Sequence, residues 1–419
     1  MFTLVEALNF RSLRYVSQPL EQLHVLVGPN ASGKTTFLDV VSFLSDLVSL
    51  GFDEAVAKRT SNLREMFWKQ TGDRFELAVE VQIPEEKRRL LADEEFRFFR
   101  YEVRVGIDET TKENVIQLEM GRLRKQPTQR RREGPVLFPS LGSVPESILD
   151  ARKQKETKDV FTKKPGQRDN YYPETRTESG GWIPAFQLGP RRSTLANLPE
   201  DESRFPVATW FKQLLSDGVQ QLVLNSLLIR RASPPGQTRT FKPDGSNLPW
   251  VISTIEANGA DRLKAWVAHL RTALPDVTSI RTIERPEDKH RYLEIEYQPG
   301  FRVPSWMVSD GTLRLLALTL PAYLPGFSGV HLVEEPENGI HPRAVETMFQ
   351  SLSSVYGAQM LLATHSPVVL SLVQADKVLC FAKTEDGATD IVRGDRHPRL
   401  KQWRGEENLG VLFAGGVLG

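Results

Sequence analysis

Apolar and polar positions alternate with period two through Thr3–Phe10 and again through Arg14–Val16, the pattern of strands. Leu23–Val27 is instead a short unbroken apolar run, as in a buried strand, and Phe37–Leu44 shifts to helical spacing. Phe75–Val81, Phe99–Val105 and Val115–Met120 alternate cleanly between short polar breaks, which predicts an antiparallel meander with one face exposed. Helical spacing returns over 206–230, through Trp210, Leu214, Leu215, Val219, Leu222 and Leu227, and over 254–274. Neither stretch sustains heptads long enough for a coiled coil. The last third predicts a strand at Tyr292–Tyr297 and an apolar helix through Leu313, Leu316 and Leu320. Strands at Val330–Val333, Gln359–Thr364 and Lys377–Phe381 complete it. This is α/β patterning with a mixed sheet, an antiparallel β subdomain and a helical insertion.

Between the apolar strand Leu23–Val27 and the helix that follows lies Gly28-Pro29-Asn30-Ala31-Ser32-Gly33-Lys34-Thr35-Thr36. Strand, glycine-bounded turn with Gly-Lys-Thr, then helix is the P-loop arrangement. The glycines let successive N–H groups curl inward at phosphate oxygens, and the helix N-terminus adds its positive dipole end. Lys34 supplies a full charge at the β/γ-phosphates, and the Thr35 hydroxyl can reach a Mg²⁺ ion. The expectation is a nucleoside triphosphate site. Arg11, in the turn between the first two strands, is either an exposed loop arginine or a second cation over the nucleotide.

Charge changes the picture only locally. The 419 residues carry 54 basic against 53 acidic side chains, so no global attraction to nucleic acid follows. Residues 121–200 hold 16 Lys/Arg against 9 Asp/Glu, densest at Arg130–Arg132 and at Lys153, Lys155, Lys158, Lys163 and Lys164. A solvated, partly disordered insertion and a basic surface for DNA or RNA phosphates both fit that stretch. The one cysteine, Cys380, sits in an apolar run and excludes disulfides and thiolate zinc clusters. No apolar stretch approaches the ~18 residues of a membrane span, and the N-terminus lacks a signal-peptide pattern. The expectation is a cytoplasmic protein with no membrane contact.

Two acids close the strand Val330–Val333, in Glu334-Glu335-Pro336-Glu337. Carboxyl ends of strands line the ligand crevice of open α/β sheets. There Glu334 can hold the Mg²⁺ shell while Glu335 polarises an attacking water. His365 also follows a strand and could hydrogen-bond a γ-phosphate. Ser309-Asp310-Gly311-Thr312 reads as a helix start, either an ordinary cap or a second phosphate contact.

In chain order, the P-loop, the Ser309 turn, the acid pair and the strand-end His365 together resemble the ABC-type P-loop ATPase head of the RecF/SMC-like and OLD-related group. Gly-Pro-Asn-Ala-Ser-Gly-Lys-Thr-Thr is similar to its Walker A, Val-Ser-Asp-Gly-Thr-Leu-Arg to its signature, Glu-Glu-Pro-Glu-Asn-Gly-Ile-His-Pro to its Walker B with D-loop, and Ala-Thr-His-Ser-Pro to its switch histidine. The resemblance covers residues 1–120 and 291–419. It implies ATP and Mg²⁺ as ligands, with Gly28, Asn30, Ala31, Ser32, Gly33, Lys34, Thr35, Thr36 and Arg11 binding nucleotide. Thr35 and Glu334 would serve the metal, Glu335 would be the general base and His365 the γ-phosphate sensor. It further implies a homodimer through the heads, each ATP also meeting Ser309 and Gly311 of the other copy. Gln187, before Leu188-Gly189-Pro190-Arg191, is placed to stand in for the Q-loop, with Gln70 and Gln82 as alternatives.

Glu334 stands where the family more commonly has aspartate. The insertion lacks the heptads of a chromosome-spanning SMC. The chain runs only to Gly419 beyond His365, which leaves no room for the Toprim nuclease domain of OLD proteins. A separate effector or nuclease subunit is therefore expected. The domain expectation is 1–120 as the N-terminal head portion, 121–200 as the basic insertion, 201–290 as a helical lobe and 291–419 as the C-terminal head portion. The functional expectation is an ATP-hydrolysing switch in bacterial antiphage defence. The alternative is a RecF-like repair ATPase that binds DNA through the basic insertion. A transporter subunit fits poorly, given the Ser-Asp-Gly-Thr signature and large insertion, and a metabolic P-loop kinase would need neither Ser309 nor a switch histidine.

Overall fold

The computed structural model describes residues 1–128, 138–140, 142–149, 156–176, 185–401 and 409. Arg130–Arg132, Lys153 and Lys155 lie outside the described residues. The chain forms two units, one built from Met1–Val219 with a returning segment from Asp376, the other from Gln220–Ala375.

In the first unit β1 (Phe2–Phe10) and β2 (Leu13–Pro19) make a hairpin, and β3 (Leu23–Val27) runs towards α1 (Lys34–Ser49) and α2 (Phe52–Ala57). The predicted meander is present and larger than its three runs. It comprises β4 (Arg74–Gln82), then β5 (Phe98–Ile107) beyond the short α3 (Glu85–Arg88), β6 (Asn114–Arg124), β7 (Thr157–Lys163), β8 (Asp169–Tyr171) and β9 (Ala185–Phe186). With the hairpin they form one antiparallel sheet in the order β2-β1-β4-β5-β6-β7-β8-β9.

The expectation of one solvated face does not hold. On one side Phe10 and Phe75 pack against Phe43 of α1. On the other, the polar positions that alternation assigned to solvent, Glu6, Glu76, Glu80, Arg100 and Glu102, are at most 2% exposed. They pair with one another, Arg100 bridging Glu6 at 2.6 Å and Glu102 at 2.5 Å. Residues 142–149 lie over them: Ile148 N–H and the Ser147 hydroxyl donate to Glu76, and Arg100 donates to the Ile148 carbonyl. Leu8 and Ala78 pack against Ile148 and Leu149. Burying charges is tolerable only with such pairing, so a polar alternation does not by itself imply water.

Buried carboxylates also hold loops in this unit. Glu119, fully buried, accepts from the Tyr101 and Ser193 hydroxyls and from the N–H groups of Thr194 and Leu195, at 2.7–3.0 Å. Glu174 accepts from Val207 and Ala208 N–H at the start of α4 (Pro206–Gln213), replacing the missing side-chain cap. Burial pushes the Glu174 carboxyl up to about 7 against those two bonds.

The helical span predicted over 206–230 is interrupted. Its last turn widens over Leu214–Gly218, and β10 (Val219–Leu222) follows before α5 (Ser226–Arg230). The second unit continues with α6 (Leu248–Asn258) and α7 (Ala260–Leu270), then a three-stranded antiparallel sheet of β11 (Val277–Glu284), β12 (Arg291–Tyr297) and β13 (Phe301–Pro304). Next come α8 (Asp310–Thr319), β14 (Gly329–Glu334), α9 (Pro342–Ser353), β15 (Ala358–Ala363) and α10 (Pro367–Leu372). β14 and β15 are parallel, with Glu334 opposite Ala363, and α9 forms their crossover.

The returning segment supplies β16 (Val378–Lys383), parallel to β3, and β17 (Thr389–Arg393), antiparallel to β16. This is the mixed sheet of the first unit. Among the described residues no helix is long and apolar enough to cross a membrane, and no cluster of three or more His, Cys, Asp or Glu has the geometry of a metal site.

Candidate nucleotide site

The residues assigned to nucleotide fall into two sets. The first unit contains Gly28–Thr36 and Arg11; the second contains Ser309, Gly311, Glu334, Glu335 and His365.

The phosphate loop leaves β3 through backbone that side chains resist. Gly28, Ala31 and Gly33 have φ of 151°, 61° and 104°. A Cβ on Gly28 would lie 2.3 Å from the Phe381 carbonyl oxygen, so the loop is pressed against β16. Lys34 opens α1, is 8% exposed, and donates from Nζ to the Gly28 and Pro29 carbonyls at 2.8 and 3.0 Å. Its ammonium thus lies over the loop's own concavity, where a phosphate oxygen could replace a carbonyl. Pro29, Asn30, Ala31 and Thr35 are exposed, Thr36 is half-buried and Ser32 is buried. α1 has no acidic residue in its first turn, leaving its N-terminal partial charge available to an anion.

Arg11, at φ 49°, is anchored by its N–H to the Met66 carbonyl, and its guanidinium pairs with Asp39 of α1 at 3.0 Å. Asp39 also takes Arg59, which bridges on to Asp46. Sequence reasoning named Arg11 but not Asp39, whose position five residues after Lys34 on the same helix was the available signal. Of the Q-loop alternatives, Gln70 follows the segment anchored to the Arg11 turn, with Phe67 bridged to Phe10, and has φ 57°. Gln187 follows β9 at the sheet edge opposite β2, and Gln82 ends β4.

In the second unit β14 delivers the acids. Glu334 is half-buried and accepts from Gln221 Nε2 at 3.2 Å. Glu335 turns into the left-handed region, φ 46°, with its N–H bonded to the Ala363 carbonyl. That conformation, unusual for a side chain of this size, lifts its carboxylate into solvent at 48% exposure. Asn338 donates to one Glu335 oxygen, and His365 Nε2 lies 3.8 Å from the other. Glu337, which sequence reasoning left without a role, accepts from the Thr364 hydroxyl at 2.6 Å and from His365 N–H at 2.9 Å. It therefore fixes the strand end from which His365 projects.

Ser309 caps α8, accepting from Thr312 N–H at 3.2 Å, and is exposed. Arg230 holds the neighbouring Asp310. A Cβ on Gly311 would lie 2.5 Å from the Gly339 carbonyl oxygen, so the start of α8 packs directly on the loop that follows Glu335. The second unit thus brings Ser309, Gly311, Glu335 and His365 around one loop, and the first brings Arg11 to the helix of the phosphate loop. The first unit offers backbone N–H groups, an ammonium and a hydroxyl, which suit a triphosphate, and the second offers carboxylates, which suit a hard, oxygen-preferring cation such as Mg²⁺.

The fold, and a family model, are matched among known proteins. The fold matches a crystal structure of an Smc head bound to the C-winged helix domain of ScpA, at TM-score 0.51 and 16% identity, over 93% of this chain and 97% of that one. An Smc head domain with an extended coiled coil, bound to the C-terminal domain of ScpA from Pyrococcus furiosus, matches at TM-score 0.48 and 12% identity, over 96% and 98%. The SMC head domain from Thermotoga maritima matches at 0.42 and 10%, over 94% and 98%. The first establishes an SMC-type ATPase head fold; the other two add no weight. The family model described as "AAA domain, putative AbiEii toxin, Type IV TA system" matches residues 23–371, from the strand before the phosphate loop to beyond His365. The chain belongs to that AAA family, and its fold is that of an SMC head.

Proposed function

We propose that this protein is an ATP-hydrolysing switch whose heads dimerise on ATP and control a separate effector or nuclease, in bacterial antiphage defence. The observation that carries the hydrolytic part is the left-handed turn at Glu335, which exposes a carboxylate beside His365 on the loop that packs against Gly311. Lys34 and the N–H groups of Gly28–Thr36 bind the triphosphate. Thr35 and Glu334 would hold Mg²⁺, which when bound neutralises phosphate charge. Glu335 takes a proton from the attacking water, and His365 donates to the γ-phosphate. Ser309 and Gly311, at an exposed helix start, would meet the nucleotide of a second copy. The ScpA-bound Smc head supports the general idea of a head that works with a separate partner.

Of the basic residues behind the DNA-clamp alternative, Lys163 is buried against Asp169 and the half-buried Lys158 leans on the Glu174 carbonyl, whereas Lys164 and Arg168 are exposed. The test of the switch is gel filtration with light scattering on wild type and Glu335→Gln, with and without ATP and Mg²⁺. The variant should accumulate as an ATP-bound dimer. A monomer throughout would overturn dimerisation, and undiminished phosphate release would overturn the role of Glu335.

A further inference from the structure

Thr389 opens β17, is fully buried, and meets the phosphate loop from behind. Its N–H donates to the Ser12 carbonyl at 2.9 Å. Its Oγ1 lies 2.9 Å from the Ser32 carbonyl oxygen and 3.0 Å from Ser12 Oγ. Thr389 is the donor in both contacts, its one proton shared between the Ser32 carbonyl, which can only accept, and Ser12 Oγ. A Cβ on Gly33 would fall 2.1 Å from the same Oγ1, so the loop carries glycine there for Thr389 as well as for its φ of 104°.

The consequence follows from peptide geometry. In a trans peptide the carbonyl of one residue and the N–H of the next point in opposite directions. Tying the Ser32 carbonyl back to Thr389 therefore aims the Gly33 N–H the other way, into the face of the loop that Lys34 covers. The same hydroxyl holds Ser12, the neighbour of Arg11, so the loop and the arginine turn share one fastening point.

We infer that Thr389 is a positioning residue for the nucleotide: its hydroxyl sets the direction of the phosphate-loop N–H groups and their register with Arg11. This rests on reading Gly28–Thr36 as the triphosphate site. The effect is on binding, through the loop, and involves no contact between Thr389 and ATP.

The test measures the Kd of a fluorescent ATP analogue with Mg²⁺ and, separately, the Tm of nucleotide-free protein. Thr389→Val keeps the shape and loses the hydroxyl; it should raise Kd at least tenfold. Thr389→Ser, which keeps the hydroxyl, should stay within threefold of wild type. Thr319→Val removes another fully buried hydroxyl, one that donates to the Leu315 carbonyl in the second unit; it should lower Tm and leave Kd alone. A Thr389→Val protein with lowered Tm and wild-type Kd would overturn the inference. If Thr389→Val does not fold, Ser12→Ala decides: it should raise Kd two- to fivefold, and an unchanged value overturns the proposal. Lys34→Ala separates the two levels. Equal binding by Lys34→Ala and wild type would remove the triphosphate reading itself, whereas loss of binding in Lys34→Ala beside wild-type binding in Thr389→Val would remove only the role of Thr389.

Discussion

The large sheet of the first unit and the end of β14 in the second use carboxylates in opposite ways. In the first, Glu119, Glu76, Glu80 and Glu174 are buried and saturated with donors, and each holds a loop, strap or helix start against the large sheet. In the second, Glu335 follows a strand end with its carboxylate 48% exposed, beside a half-buried Glu334 that accepts from Gln221. A carboxylate surrounded by fixed donors stabilises a loop but has no capacity left for a substrate. One raised into solvent contributes little to the fold and remains free to exchange protons. On the proposed reading, that difference divides scaffold from chemistry.

The strongest way to break this contrast is Glu335→Gln, which should lower ATP turnover at least 100-fold while leaving ATP affinity within threefold and Tm within a degree or two. A large loss of Tm would move Glu335 to the scaffold side. Glu119→Ala should do the reverse, costing on the order of 4 kcal/mol in urea unfolding because four donors lose their acceptor. If it instead proves stable and inactive, the distinction fails.

Acidity should sharpen the comparison next. Burial holds the His331 imidazole down to about 4, so its neutral form contributes stability above its ordinary 6.5 that is lost as pH falls towards 4. Glu174, raised to about 7, binds its proton more tightly folded than unfolded, so its unit loses stability as pH rises from about 4.5 to 7. Native-state hydrogen exchange should show opposite pH slopes, each roughly 3 kcal/mol over its window, in β14 and in α4. His331→Asn should flatten the first slope and Glu174→Gln the second. The smallest expected effect is that of Glu337→Gln, which loosens the strand end at His365; turnover should fall about fivefold with affinity unchanged, and recover partly in Glu337→Asp.

The candidate site could be proposed from the sequence because its segments carry local signals. Glycines with Lys34 after an apolar run, paired acids after β14 and a histidine after β15 announce themselves in residues that are neighbours in the chain. The SMC-type head fold followed from their order. What was not legible depends on distant contacts. Nothing near Thr389 in the sequence marks it as a partner of Ser32, since the two are 357 residues apart. The polar alternation of β4 and β5 suggested water on one face because the strap at 142–149 carries no pattern that announces what it covers. β7, β8 and β17 are short and weakly alternating, and they pair with strands already formed. The break at Gly218 was hidden by apolar residues whose spacing happens to continue a helical period into β10.

The fit of Gly311 against the Gly339 carbonyl has a consequence for engineering. Grafting the Ser309–Arg314 segment from a relative onto this chain will jam or gape unless the residues after the acid pair travel with it. The two stretches should be exchanged as one cassette, even though 27 residues lie between those glycines.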